Sequence, residues 1–378
     1  MGLFKKKLPV SDTIAVSAAR RREHPPTAIQ TEYRLYEHLR DAVPIIDAAI
    51  CKIIRLAGCY KLVCSDENLQ DELDDFVMNV NVGMSGKSLY AFTDVFLDSL
   101  LMYGNAVGEI MTDPDTLKIA GLGNGKIGEF EIHPNSTPSK KVYCVVAPDG
   151  QRHKILHPEL ILFSAINTRS GDIYGNSVLK GLPAVSRTLL KIFECIENNF
   201  ERAGNIRYAV TYNPGNDPGE KALAKDRAQQ IAQEWSSGMN AARSGEIRDF
   251  IAVGDVGIKV IGSENQLFDT NIPVRQLLEQ IVSKLAIPPF LLGLSWSSTE
   301  RMSAQQADIL TSELEYYRRR LTPVIVKIAT AFLRSIGSES TAAVEWENIN
   351  LQDERSLAEA RLKNAQAEKL ERETSAES

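Results

Sequence analysis

Apolar residues recur at helical spacing in two stretches of the first hundred residues, which predicts amphipathic helices. In residues 41–57 apolar side chains return every three or four positions, with Pro44 in the first turn and Gly58 just past the end. Residues 88–103 show the same period and stop at Gly104, where the chain can enter a left-handed conformation. Both stretches predict helices with one buried face.

The pattern then changes to short β-like runs separated by clusters of Gly, Pro, Asn and Asp. The four predicted strands are residues 106–111, 130–133, 142–146 and 160–166. The first half of the chain therefore predicts a mixed α+β domain.

The second half predicts two long helices on either side of a small α/β insert. Pro183 opens the first helix and Gly204 ends it. The second helix has a regular apolar stripe over residues 274–286 and stops at Pro288. The insert is predicted to contain a strand at 206–212, a helix through Trp235, and strands at 249–253 and 258–261.

A third long helix follows a loop. Ser303 and Gln306 match a capping box that would open this helix, and its apolar residues alternate spacings of three and four. Pro323 lies inside the pattern and removes a backbone donor, so we expect a kink there. Residues 351–378 are rich in Glu, Lys, Arg and Ala and predict a solvated helix to about Glu371.

Composition narrows the functional classes. The five cysteines are irregularly spaced with no C-x-x-C pair, which favours neither a disulfide framework nor a zinc site and suits a reducing cytoplasm. No apolar run reaches the roughly 18 residues of a membrane span, so we expect a soluble intracellular protein. The net charge of −6 argues against tight nucleic-acid binding, which needs many cationic contacts.

Two glycine-rich segments resemble nucleotide-binding motifs. Residues 83–88 end in Gly-Lys-Ser like a P-loop, but Asn81 stands where that motif needs its first glycine. Residues 123–128 match G-x-G-x-x-G, yet a β-like run follows instead of the helix that would hold a pyrophosphate. We interpret the first as a turn at the start of a helix and the second as a hairpin turn.

No combination of residues predicts an active site. His153 and His157 have metal-ligand spacing for a helix, but their surroundings indicate a strand or turn. No nucleophile signature is present, so we expect no enzyme activity and no cofactor. In the basic stretch 316–320, Tyr317 lies on the apolar stripe, and we expect the three arginines on the solvated face. DNA contact by these arginines is the less favoured alternative.

Six segments in a fixed order resemble the portal proteins of long-tailed bacteriophages. Most specific is the stretch from Ile281 to Gly293, Ile-Val-Ser-Lys-Leu-Ala-Ile-Pro-Pro-Phe-Leu-Leu-Gly, which is similar to a portal helix terminus. The other segments are Ile53-Ile54-Arg55-Leu56-Ala57-Gly58, Leu100-Leu101-Met102-Tyr103-Gly104-Asn105-Ala106, Ile155-Leu156-His157, Asp172-Ile173-Tyr174-Gly175-Asn176-Ser177-Val178-Leu179 and Leu321-Thr322-Pro323. Together they cover the chain from about Tyr36 to Gly337.

The resemblance implies an α+β portal fold, with an α+β wing, a long helical stem, a small α/β clip insert, a kinked long helix and a short helical crown. Transferred by position, the regions are an N-terminal arm at 1–29, a wing at 30–182, stem helices at 183–204 and 268–287, a clip at 205–267, a tunnel loop at 288–302, a kinked channel helix at 303–339 and a crown with tail at 340–378.

The resemblance also implies a function. The chain would form a dodecameric ring at one capsid vertex, through which double-stranded DNA is packaged and ejected. Implied partners are further copies of the chain, weakly bound DNA, terminase, a head-tail adaptor, and capsid or scaffold proteins, with no membrane. The protein would be assembled in the host cytoplasm and located in the virion. The tunnel-loop residues nearest the DNA path would be Trp296, Ser297, Ser298, Thr299 and Arg301.

Two alternatives of other classes stay open from the residues alone. One is a phage nucleotide- or DNA-processing enzyme, which the Gly-Lys-Ser stretch would serve. The other is a different capsid or adaptor component, because a fold does not determine a role. Symmetry discriminates between them, since a large closed ring favours the portal and a monomer that turns over ATP favours the enzyme.

Overall fold

A computed structural model describes residues 26–134, 141–146, 150–204, 207–243, 255–261, 269–294 and 300–349. The chain divides into two compact units. Unit 1 takes its described residues from 1–186 and 278–378, and unit 2 takes them from 187–277.

The helices are α1 (Pro26–Ala42), α2 (Pro44–Ala57), α3 (Gln70–Asn79), α4 (Leu89–Tyr103), α5 (Leu182–Gly204), α6 (Pro218–Arg243), α7 (Asn271–Leu285) and α8 (Glu300–Ser335). The strands are β1 (Tyr60–Cys64), β2 (Asn81–Val82), β3 (Gly86–Lys87), β4 (Asn105–Thr112), β5 (Ile119–Gly125), β6 (Phe130–Pro134), β7 (Lys141–Val146), β8 (Arg152–Lys154), β9 (Ile161–Ala165), β10 (Arg207–Asn213), β11 (Asp255–Ile261) and β12 (Ala342–Trp346).

Helix α4 is the centre of the unit 1 core and forms where the sequence predicts it. The Ser88 hydroxyl accepts a hydrogen bond from the Ala91 amide at 3.3 Å and caps the first turn. Gly104 closes the helix with φ of 76° in the left-handed region. Phe92 and Phe96 are fully buried, because α4 packs against α2, α3 and strand β4.

The main sheet of unit 1 has the strand order β3-β2-β5-β4-β9. Strand β4 is central: Val107 lies opposite Gly125 on one side and Phe163 on the other, both in antiparallel register. Strands β6, β7 and β8 form a separate three-stranded sheet. The hairpin expected at residues 123–128 is therefore wrong, because β5 and β6 belong to different sheets and a 3-10 turn at Ile127–Glu129 joins them.

The elements of unit 1 that were not predicted are helices α1 and α3 and strands β1, β2, β3, β5 and β12. Strands β1 and β12 pair antiparallel, with Tyr60 opposite Trp346 and Cys64 opposite Ala342. Residues 342–346, at the start of the segment expected to form the crown, are strand β12, and both Ala342 of this strand and Tyr60 of β1 are buried. The residues of the expected crown from 350 onward lie outside the described residues.

Unit 2 contains an antiparallel pair, β10 with β11, in continuous seven-residue register from Arg207 opposite Ile261 to Asn213 opposite Asp255. Helix α6 packs on β10, where the Trp235 ring meets the Tyr208 ring edge-on with centroids 5.2 Å apart. The strand predicted at 249–253 lies outside the described residues.

The last helices frame the loop that the portal resemblance singles out. Helix α7 ends at Leu285, and Pro289–Leu292 form a 3-10 turn. Helix α8 begins at Glu300, so the cap predicted at Ser303 is wrong and this residue lies within the helix. It continues as one helix through Pro323, because the proline removes only one backbone donor from a long, tightly packed element.

Candidate functional site

The candidate tunnel-loop residues are only partly described. Trp296, Ser297, Ser298 and Thr299 lie outside the described residues, and Arg301 lies in the first turn of α8. The structure therefore places the two ends of the loop and not its tip.

The first end of the loop forms a hydrogen-bonded turn. The Gly293 amide donates to the Phe290 carbonyl at 3.2 Å, and the Leu294 amide donates to the Pro289 carbonyl at 3.1 Å. Gly293 adopts φ of 74°, which favours glycine. This turn packs against α2 of unit 1. The loop is thus held from its first residues up to Leu294.

The second end is the helix α8, which lies along the edge strand β9. The Lys327 ammonium donates to the Ile161 carbonyl at 2.8 Å, and burial lowers the pKa of this amine. The Ser164 hydroxyl donates to the Arg320 carbonyl at 3.4 Å. Helix α8 therefore covers part of the otherwise open edge of the main sheet.

Arg318 does not lie on the solvated face, which corrects the interpretation of the basic stretch. Its side chain is only 3% exposed, and its Nε donates to the Ala57 carbonyl at 2.8 Å. That carbonyl ends α2, so the guanidinium sits at the negative end of the helix dipole. Glu315 accepts a second bond from Nη1 at 3.0 Å. Arg319 and Arg320 are exposed as expected.

The same guanidinium explains the glycine that follows α2. A Cβ on Gly58 would lie 2.9 Å from Arg318 Nη2, and Gly58 has φ of 77°. The Arg318 guanidinium also lies over the Trp346 ring at 5.0 Å from its centroid. The indole nitrogen of Trp346 donates to the Thr322 hydroxyl at 3.0 Å. Arg318 and Thr322 thus tie α8 to α2 and β12, and the glycine at 58 was the one sequence signal of this contact.

Two motifs of the portal resemblance meet in one buried junction, although they are 70 residues apart. The Asn105 side-chain oxygen accepts from the Gly175 amide at 2.7 Å, and Asn105 is 1% exposed. A Cβ on Gly175 would lie 2.3 Å from the Gly104 carbonyl oxygen, and one on Gly104 would lie 2.3 Å from the Asn176 backbone. Both glycines are required for close backbone packing, so this junction is structural.

The serine of the second motif extends the junction to the end of α4. The Ser177 hydroxyl donates to the Leu101 carbonyl at 3.2 Å and accepts from the Leu179 amide at 2.9 Å. The Val178 amide donates to the same carbonyl at 3.2 Å. The loop that leads into α5 is therefore fixed to α4.

The P-loop-like segment uses its amides inside the fold. The Gly83 amide donates to the Leu122 carbonyl and the Ser88 amide to the Val80 carbonyl, both at 2.9 Å. Residues 81–87 form the hairpin of β2 and β3, and Ser88 caps α4. A phosphate cradle needs free amides that point at one anion, and this geometry commits two of them elsewhere.

The two histidines lie in a strand and a turn, as the sequence indicates. His153 is in β8, opposite Val145. His157 precedes a 3-10 turn, and its Nδ1 lies 2.9 Å from Glu159 Oε1. Across the described ranges, no group of three or more side chains is arranged to hold a metal ion. Within the same ranges, no helix has the length and apolar character needed to cross a bilayer.

Solved structures are similar to this chain. The neck of a native gene transfer agent (GTA) particle computed with C12 symmetry contains a chain with TM-score 0.59 and 16% identity, covering 85% of this chain and 88% of that chain. The neck of an empty particle computed with C6 symmetry gives TM-score 0.62 at 16% identity over 87% and 89%. An HK97 family phage portal protein from Corynebacterium diphtheriae gives 0.42 at 13% identity, over 80% of this chain and 93% of that chain.

No family model matches the sequence, and no curated protein matches it. The similarity to the gene transfer agent neck chains extends over most of this chain and most of each neck chain, so this chain has their fold. The predicted α+β fold class is confirmed.

Proposed function

We propose that this chain is a portal subunit, which assembles into a ring of about twelve copies, the symmetry of one matching neck structure, and forms the channel for double-stranded DNA. The observation that carries the proposal is the fold shared with neck chains over 85–87% of this chain. The portal motifs agree with this role, because two of them form the junction at Asn105 and Gly175 that fixes the approach to α5.

Helix α5 supplies a physical reason for assembly. Its apolar residues include Phe193, which is 45% exposed, and Phe200, which is 63% exposed. These rings lie seven residues apart, two helical turns along one face. A helix with an apolar face gains stability when a neighbour covers that face. In a closed ring each copy would cover the face of the next.

The proposed location is the portal vertex of a phage-like virion. The proposed partners there are terminase during packaging, a head-tail adaptor, and capsid or scaffold proteins. The chain would act as a structural component and not as an enzyme, since the P-loop-like amides are used within the fold. Its net charge of −6 suits a channel in which DNA is not held tightly.

Negative-stain electron microscopy of the purified full chain tests the proposal. We expect closed rings with a central channel and a rotational symmetry near twelvefold. Images that show only small single particles at every protein concentration and salt would contradict it.

The loop between α7 and α8 is proposed to contact the passing DNA through Trp296, Ser297, Ser298, Thr299 and Arg301. The support is its place between two anchored ends, the Pro289–Leu292 turn and helix α8. Replacing residues 295–300 by a short Gly-Ser link keeps the Pro289–Leu292 turn and all of α8 except its first residue. We expect rings to form and DNA packaging to be lost. Failure of ring formation, or normal packaging, would reject the assignment of the loop.

A further inference from the structure

A group of exposed cations lies on unit 1 around Tyr316. The Arg320 guanidinium lies over the Tyr316 ring, 5.3 Å from its centroid. The Tyr316 hydroxyl accepts a hydrogen bond from the Asn167 amide at 3.2 Å, which ties this ring to the loop after β9. Arg319 and Arg320 follow Tyr316 by three and four residues and so share its face of α8.

The same loop brings two more cations to this surface. Asn167 and Asn176 exchange amide hydrogen bonds, with Asn176 Nδ2 2.8 Å from the Asn167 carbonyl oxygen. The Lys180 ammonium donates to the Asn176 side-chain oxygen. Arg169 follows Asn167 by two residues in the exposed turn. We define the basic patch as Arg169, Lys180, Arg319 and Arg320.

The charge of the basic patch is not neutralised. In the part of the chain that the structure describes, none of its four cations forms a salt bridge with a carboxylate. The nearest acid along α8, Glu315, pairs with the buried Arg318. Asp172 lies in the turn with Arg169, and Glu313 precedes Tyr316 by three residues on α8, so these two acids lie beside the four cations. On a chain of net charge −6 this is a local area of opposite sign.

The patch also lacks the apolar centre of a protein interface. Of the large apolar side chains exposed in the described residues, none lies within residues 164–180 or 313–324. Protein interfaces are depleted of charge at their core and enriched in buried apolar groups. Surfaces that bind nucleic acid are more polar and more positive, and arginine pairs well with phosphate.

We propose that the basic patch binds the phosphate backbone of duplex DNA, independently of base sequence. This inference rests on the proposed portal function. It places a second DNA contact on unit 1, in addition to the contact proposed for the loop between α7 and α8. Tyr316 acts as a positioning residue, because its ring holds the Arg320 guanidinium and its hydroxyl fixes the loop that carries Arg169.

Fluorescence anisotropy with a labelled 30-base-pair duplex, titrated with the full-chain assembly at several salt concentrations, tests this. The patch variant is Arg169→Gln with Arg319→Gln and Arg320→Gln. The matched control is Arg34→Gln with Lys87→Gln and Lys118→Gln, three exposed cations in other segments of unit 1, which changes net charge equally. We expect the slope of log K against log salt to fall by about 0.9 per lost phosphate contact in the patch variant only.

Two binding results would overturn the inference. A patch variant that binds DNA with the affinity and salt slope of the control overturns it. A polyglutamate peptide that binds the patch more tightly than the duplex, at equal charge, also overturns it and identifies an acidic protein as the partner. Particle images of the same samples separate the two proposals: rings without the patch effect reject only the patch, whereas absence of rings rejects the portal function.

Discussion

Units 1 and 2 bury their apolar residues to very different extents. Unit 1 encloses a core around Phe92, Phe96 and Ile50, which are all fully buried. In the described part of unit 2, the buried apolar residues are Leu189 and Ala241. Its exposed large apolar side chains are Leu190, Phe193, Phe200, Leu223, Met239, Ile258 and Ile272. Unit 1 encloses its own apolar core, whereas unit 2 leaves apolar surface that neighbouring copies would cover in the proposed ring.

The largest expected effect is a difference in lost stability between two substitutions, one of a phenylalanine in each unit. Phe96→Ala removes a fully buried ring and should cost about 3–5 kcal/mol of unfolding free energy. Phe200→Ala removes a ring that is 63% exposed and should cost less than about 0.5 kcal/mol in the isolated chain. Urea unfolding measures the first quantity, and the concentration dependence of assembly should shift only for Phe200→Ala. Equal losses of stability would contradict the comparison.

An intermediate loss of stability is expected for a substitution at the junction of the two portal motifs in unit 1. Asn105→Ala removes the acceptor of the buried Gly175 amide and should cost about 1–3 kcal/mol. Asn79→Ala is the control, because the Asn79 side chain is exposed and, among the described residues, bonds only to Asp75 one turn earlier. Thermal unfolding of both variants checks this. A control that melts as low as Asn105→Ala would mean that the junction is not special.

The smallest expected effect is a pH-dependent change in melting temperature, caused by Glu131 in the sheet of β6, β7 and β8. The Arg152 guanidinium donates to Glu131 at 2.8 Å and lowers the pKa of this carboxyl below its ordinary value of 4.5. A lowered carboxyl pKa stabilises the fold above the unfolded value, and that contribution is lost as pH falls through the folded value. The melting temperature of Glu131→Gln should therefore lie below that of the native chain at pH 7 and approach it below pH 4.5.

The Arg152→Gln background is the control for this pH dependence. Arg152 is the largest cause of the lowered Glu131 pKa. In its absence, Glu131→Gln should change the melting temperature by a smaller and less pH-dependent amount. An unchanged pH dependence would show that another partner holds the Glu131 charge.

The sequence predicted correctly those helices and strands whose caps or alternating runs lie within the element itself. Helix α4 matches its prediction at both ends, because Ser88 and Gly104 carry the caps themselves. Strands β4, β6, β7 and β9 each lie within one or two residues of the predicted runs. Strands β1 and β12 were missed, since each is five residues long and its only partner is about 280 positions away in the sequence.

The periodicity of the sequence could not predict side chains that are buried by contacts with distant parts of the chain. The basic stretch predicted that Arg318, like Arg319 and Arg320, is solvated. Its Nε instead donates to the Ala57 carbonyl, 261 residues away in the sequence. The motifs at Tyr103 and Tyr174 were recognised by resemblance, but their contact through Asn105 needed the structure. The roles of Trp296, Ser297, Ser298, Thr299 and Arg301 stay predictions, because the residues that decide them lie in or beside the undescribed part of the loop.

Native mass spectrometry of the native chain and two matched variants tests the central claim most directly. Phe193→Asp with Phe200→Asp places two acids on the apolar face of α5, whereas Cys195→Asp with Asn198→Asp places two acids on its opposite, exposed face. We predict a ring of about twelve copies, as in one matching neck structure, for the native chain and the control, and monomers for the variant of the apolar face. A native chain that stays monomeric across concentrations, or rings that survive both acids on the apolar face, would contradict the account.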